Sequence, residues 1–67
     1  MLFIDMEGNE LNIGDILEPV NGLKVEVVSR GFSENAGQEV LYGQQIENMD
    51  AFCILTLENL KAQFRRV

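Results

Sequence analysis

Ile16-Leu17-Glu18-Pro19-Val20-Asn21-Gly22-Leu23-Lys24-Val25-Glu26-Val27-Val28-Ser29 is the stretch on which the fold turns. Asn-Gly between two apolar, β-branched runs is a hairpin signal, because both central turn positions need a positive φ that Asn and Gly tolerate best. A two-residue loop pairs Val20 with Leu23, Glu18 with Val25 and Ile16 with Val27. One face of the ribbon then reads Ile16, Glu18, Val20, Leu23, Val25 and Val27, apolar but for Glu18. Pro19 has no N–H to give a ladder, so this arm is expected to be bulged or to lie at an edge. A bulge, the preferred reading, turns Glu18 outward. An open rim would leave Glu18 as a candidate contact residue.

Outward from the hairpin, Leu2 to Met6 predicts a short strand and Glu7-Gly8-Asn9-Glu10 a turn. Gly14, just before the hairpin, marks a bend or bulge. Arg30 to Gly37 reads as a loop, with Phe32 either anchored on the core or presented as a contact residue. Gln38 to Ile46 is the next strand, kinked at Gly43 and carrying Tyr42. Ala51 to Thr56 is apolar on both faces, which fits a fully buried strand. Thr56 then caps a helical turn over Leu57 to Lys61, followed by a closing strand. A continuous helix from 57 to 65 is the alternative, and would make the chain α+β.

The chain is one domain of 67 residues. So small a core usually needs a disulfide, a metal or a partner. Cys53 is the only cysteine and there is no histidine, so the first two are not expected. A lone cysteine inside an apolar run suits a reducing compartment; with no signal segment and no run of membrane-spanning length, the expected location is cytoplasmic. The net charge of −6, from 11 acidic and 5 basic residues, repels phosphate and argues against generic nucleic-acid binding.

The order of elements resembles a small SH3-like β-barrel: short strand, bent connection, Asn-Gly hairpin, Gly-kinked strand, buried strand, helical turn, closing strand. Asp5-Met6-Glu7-Gly8-Asn9-Glu10-Leu11-Asn12-Ile13-Gly14-Asp15-Ile16-Leu17 is similar to a D-x-x-G-x-x-L-x-x-G-D-x-V segment of small bacterial and prophage proteins with such barrels. The expected fold is therefore mostly β, a five- to six-stranded SH3-like barrel. What the resemblance implies for function is an adaptor or accessory domain, encoded beside phage or mobile-element genes. No catalytic residue comes with it.

The chemistry-bearing residues point the same way. Asp5, Glu7 and Asn9 alternate like the start of a calcium loop, but glycine falls at the fourth place and Ile16 at the twelfth. A turn in which Asp and Asn bond their own backbone is the better reading. Cys53 has no histidine to activate it and apolar neighbours that raise a thiol's pKa. No metal or cofactor set and no nucleophile–base pair is legible, so an enzyme is not expected. Lys61, Arg65 and Arg66 crowd the C-terminus and are expected to pair with the protein's own carboxylates.

The leading expectation is a non-enzymatic protein-interaction module, with an unidentified protein partner or a homo-oligomer. Leu17, Val28, Leu41 and Leu55 add more apolar surface than one small core is expected to hide. The candidate interaction surface is Phe32, Glu18, Tyr42, Arg65 and Arg66. The alternatives are a nucleic-acid-binding barrel, needing a basic stripe beside its aromatics, and an acidic inhibitor that mimics nucleic acid.

Overall fold

The hairpin forms, but one residue out of the expected register. In the computed structural model, which describes residues 1–67, β1 (Ile16–Pro19) pairs with β2 (Val25–Ser33) through Ile16↔Glu26 and Leu17↔Val25. A one-residue slip moves every side chain to the other face. Leu17, not Ile16, enters the core with Val25 and Val27, while Val20 and Leu23 are exposed. The turn widens accordingly. Gly22 has φ 112°, but no non-glycine residue has a positive φ, so Asn21 does not make the tight turn. Its flanks are held by distant segments: Val20 N–H donates to Gln63 O, and Lys24 O accepts from Ile46 N–H.

β3 (Gln38–Gln45), β4 (Phe52–Leu55), α1 (Leu57–Gln63) and β5 (Phe64–Arg66) complete the chain. The fold is mostly β: one five-stranded antiparallel sheet, order β4-β3-β2-β1-β5, with a short helix near the C-terminus. β4 and β5 are its two ends and do not pair with each other, so the sheet is not closed. Pro19 fits this arrangement without a bulge. Val20 N–H and Ile16 O both turn to the β5 side, and by alternation Pro19 faces β2, whose pairing with β1 has stopped at Leu17.

Several expectations are corrected. Leu2 to Met6 is not a strand; only an isolated bridge, Ile4↔Glu10, forms there. Most of the expected Arg30–Gly37 loop is strand, because β2 runs on to Ser33 and leaves only 34–37 as the turn. Gly37, at φ 69°, closes that turn by donating to Ser33 O. The helix is longer than a single turn, yet ends before residue 65. Phe64 is extended and its N–H closes the helix on Leu60 O. Thr56 is the N-cap, its hydroxyl accepting Asn59 N–H at 3.2 Å.

The core is Phe3, Leu11, Leu17, Val25, Val27, Leu41, Leu55 and Leu60, with Cys53, Leu57 and Phe64 packed against it. Three of the residues weighed as surplus, Leu17, Leu41 and Leu55, are therefore inside. Two irregularities shape the sheet. Gly14, at φ 98°, gives its N–H to Val27 O while Asp15 O accepts Val27 N–H, so two residues face one. Register also shifts between Val27 and Ser29, opposite Gly43 and Tyr42.

Candidate functional site

The expected surface residues do not converge. Glu18 and Arg65 are cross-strand neighbours on β1 and β5, bonded at 2.6 Å. Glu18 thus faces outward, as expected, but through the slipped register rather than a bulge. The hydrogen bond Arg65 donates to Glu18 and then the Glu18 charge, with that of Glu7 behind, hold the Arg65 guanidinium above its ordinary pKa. This pair sits in an open groove of about 530 Å³, lined also by Met6, Glu7, Pro19, Val20 and Gly22. Arg66 is a neighbour of Arg65 but belongs to another contact: its N–H goes to Asp5 Oδ2 at 2.8 Å and its guanidinium to Glu10 O. Phe32 is exposed near the far end of β2, opposite Glu39. Tyr42 is half-buried and lies over Gly31, where a Cβ would come within 3.2 Å of its ring.

Asp5 is the most constrained polar residue. It is 1% exposed, and its carboxylate accepts the N–H groups of Glu7, Asn9 and Arg66 and the Asn9 side-chain amide. Burial alone would push its pKa up. Those hydrogen bonds outweigh burial and hold it at about 2, below its ordinary 3.8. The turn reading of this segment is therefore the one observed, and its oxygens are occupied by donors. No three Cys, Asp or Glu side chains cluster to hold a metal ion.

The Asp5 loop also seals one end of the sheet. In β5, Gln63 O, Arg65 and Val67 N–H turn toward β1, so Phe64 and Arg66 turn outward. The Phe64 carbonyl takes Met6 N–H at 2.9 Å, and the Arg66 N–H takes Asp5. Nothing comparable covers β4. Gln45 N–H reaches Ala51 O, which by alternation turns Gly43 and Cys53 toward each other and leaves the N–H and C=O of Phe52 and Ile54 outward. None of these four groups bonds to the turns or loops around it.

The side chains of the same two residues are exposed as well, Phe52 by 67% and Ile54 by 49%. They stand on the outer face opposite Gln44 and Tyr42 of β3. Ile46 and Met49, exposed on the connecting turn, extend the apolar surface, and Gln44 Nε2 pins that turn through Met49 O. The expected full burial of Ala51–Thr56 is thus wrong for its outer face. The outer side is bare at β4, whereas Val40 on the same side of β3 is fully buried. The signal in the sequence, apolar residues on both faces of one strand, is the same for a buried second face and for an exposed one.

Cys53 points inward beside Gly43. Burial pushes its thiol pKa up, with the Gly43 backbone N–H pulling the other way. No helix is long and apolar enough to cross a membrane. Comparison of the chain with family models, with curated proteins and with solved structures finds no match in any of the three.

Proposed function

We propose that this chain is a non-enzymatic protein-interaction module of SH3-like small-barrel topology, and that β4 is its working surface. The topology is supported by the strand order β4-β3-β2-β1-β5 and by the helical turn placed between the last two strands. The observation that carries the function is the coincidence at Phe52 and Ile54 of outward backbone groups with exposed apolar side chains. An edge strand of this kind ordinarily carries a lysine, a proline or a bulge that blocks pairing. β4 has none of these and holds no charge at all. An added strand satisfies the backbone while its side chains pack on the outer face.

The nucleic-acid reading has less support. Arg30 and Arg65 are bonded to Glu39 and Glu18, and the Arg66 guanidinium to a backbone carbonyl, so these three cations are engaged within the fold. The test of the interaction reading uses immobilised chain in lysate of its native host, read by quantitative mass spectrometry. Proteins retained by the wild type and by a Phe32→Lys control are expected to be lost on Ile54→Lys. Identical retention by all three overturns the assignment.

A further inference from the structure

One edge of the sheet is sealed and the other is open, and the open one is complementary to itself. We propose that β4 pairs antiparallel with β4 of a second copy, about a two-fold axis at Cys53, joining the two five-stranded sheets into one. This rests on the reading of β4 as the working surface and names its occupant.

In that register Phe52 lies opposite Ile54 of the second copy, Ile54 opposite its Phe52, and Cys53 opposite its Cys53. All the outward groups of both strands are then used: the N–H and C=O of Phe52 and of Ile54 on each side. Cys53 falls at the non-hydrogen-bonded position between them. On the outer face an aromatic meets a β-branched side chain twice, a favourable cross-strand combination. Phe52-Cys53-Ile54-Leu55 brings no charge to the contact, so no like charges are set against each other within it.

The sealed edge decides the symmetry. Head-to-tail pairing of β4 with β5 needs a free β5, and there Met6 and Asp5 already hold the outward Phe64 carbonyl and Arg66 N–H. Only β4 against β4 remains, and that contact is isologous and closes at two chains. Its size sets its strength. Phe52, Ile54, Met49 and Ile46 together offer at most roughly 450 Å² of apolar surface per copy, below the ~800 Å² per partner of a stable interface. The dimer is therefore weak, at the low end of specific interfaces. It also tightens with salt, because each copy carries −6 and screening relieves the repulsion between them.

Sedimentation equilibrium from about 10 μM to about 1 mM, at low and high salt, reads the association directly. A monomer–dimer equilibrium that strengthens with salt is expected. Ile54→Lys and Phe52→Lys should each weaken it at least about tenfold, since the charge enters at two symmetric sites. Phe32→Lys should leave it unchanged. Circular dichroism and urea unfolding confirm that each variant folds; both β4 side chains face solvent, so either variant serves if the other fails. Amide exchange supplies the residue-level readout: Phe52 and Ile54 should slow with concentration, and Arg66 should not. An isotope-filtered NOE between the two Cys53 Hα atoms, in mixed labelled and unlabelled chain, reports the register. A monomer throughout, a dimer indifferent to both lysines, or exchange at Phe52 and Ile54 insensitive to concentration overturns the proposal. A monomer whose lysate partners are still lost on Ile54→Lys defeats self-pairing alone, whereas a lysine variant that alters neither association nor capture defeats the interaction reading too.

Discussion

β4 and β5 end the same sheet and are nearly equal in length, yet they meet solvent in opposite ways. At β5 the outward carbonyl of Phe64 and N–H of Arg66 are taken by the Asp5 loop, and the exposed side chains are arginines. At β4 the outward groups of Phe52 and Ile54 are free, and the exposed side chains are apolar. The difference does not lie in the strands' own hydrogen-bonding capacity. It lies in a segment near the other end of the chain, 61 residues from Arg66, that supplies one carboxylate and one N–H at the right place. A free edge is a template for pairing, so sealing one and leaving one directs association to a single side.

The strongest way to break this contrast is to unseal β5. Asp5→Ala strands the N–H groups of Glu7, Asn9 and Arg66 and the Asn9 amide, and leaves a small void. Buried donors left unpaired cost about 1–3 kcal/mol each, so a loss of at least about 3 kcal/mol is expected in urea unfolding. Asp5→Asn should fall between: its carbonyl keeps two donors, but its amide nitrogen turns a donor toward the Arg66 N–H. In either variant the Arg66 amide should exchange as fast as that of Phe52 in dilute solution. An Asp5→Ala chain as stable as the wild type would show that the loop merely rests on β5.

Acid breaks the same seal without mutation, more gently. The Asp5 pKa lies at about 2 in the fold, against 3.8 for an ordinary aspartate. The unfolded chain therefore takes up the proton first as pH falls. The stabilisation is fully present above about pH 4 and is lost as pH drops toward 2, on the order of 2 kcal/mol in all. Urea midpoints at stepped pH values should show this loss in the wild type and lack its Asp5 component in Asp5→Asn. Identical pH profiles for the two chains would remove Asp5 as the cause.

How much of this contrast is legible in the sequence follows from which forces are local. The Asp5 turn, the Thr56 cap and the Gly14 bulge rest on residues a few positions apart, and these were readable. The register of β1 on β2 was not. Asn21-Gly22 favours a tight turn locally, but Gln63 claims Val20 and Ile46 claims Lys24, and burying Leu17 in one core with Leu60 and Leu41 outweighs the turn. Long-range competition of this kind leaves no mark within the hairpin. The reading of Arg30 to Gly37 as a loop failed similarly, because cross-strand partners 39–42 hold glycine and serine in a strand they would not favour alone. At the site, the expected pairing of the C-terminal cations with the protein's own carboxylates holds for Arg65, which meets Glu18, while Phe52 and Ile54 were hidden because alternation cannot tell a buried second face from a bare one.

The open side can be loosened from within. A Cβ on Gly43 would come 3.1 Å from both Cys53 Sγ and Leu55 Cδ1, so β3 and β4 fit closely only around glycine. Gly43→Ala should cost about 1 kcal/mol, the overpacking being partly offset by the strand preference of alanine over glycine. Amide exchange should quicken at Cys53 and Leu55 and not at Arg66. Adding Cys53→Ala should recover part of the loss, a coupling expected only of residues in contact. Equal loosening at both edges would mean that the sheet opens as one unit.

The smallest effect is expected where the hydrogen bond is short but exposed. Glu18 and Arg65 meet at 2.6 Å, closer than Asp5 and the Arg66 N–H at 2.8 Å on the neighbouring residue. Both bonds tie β5 to the rest of the fold, but the side chains of Glu18 and Arg65 stand in solvent, where water replaces either partner and salt screens the charges. Glu18→Gln should leave the urea midpoint unmoved within error at moderate salt, and the Arg66 amide as protected as before. A clear destabilisation there, fading as salt is raised, would mean that the seal on β5 is electrostatic at the surface rather than built on the buried carboxylate of Asp5.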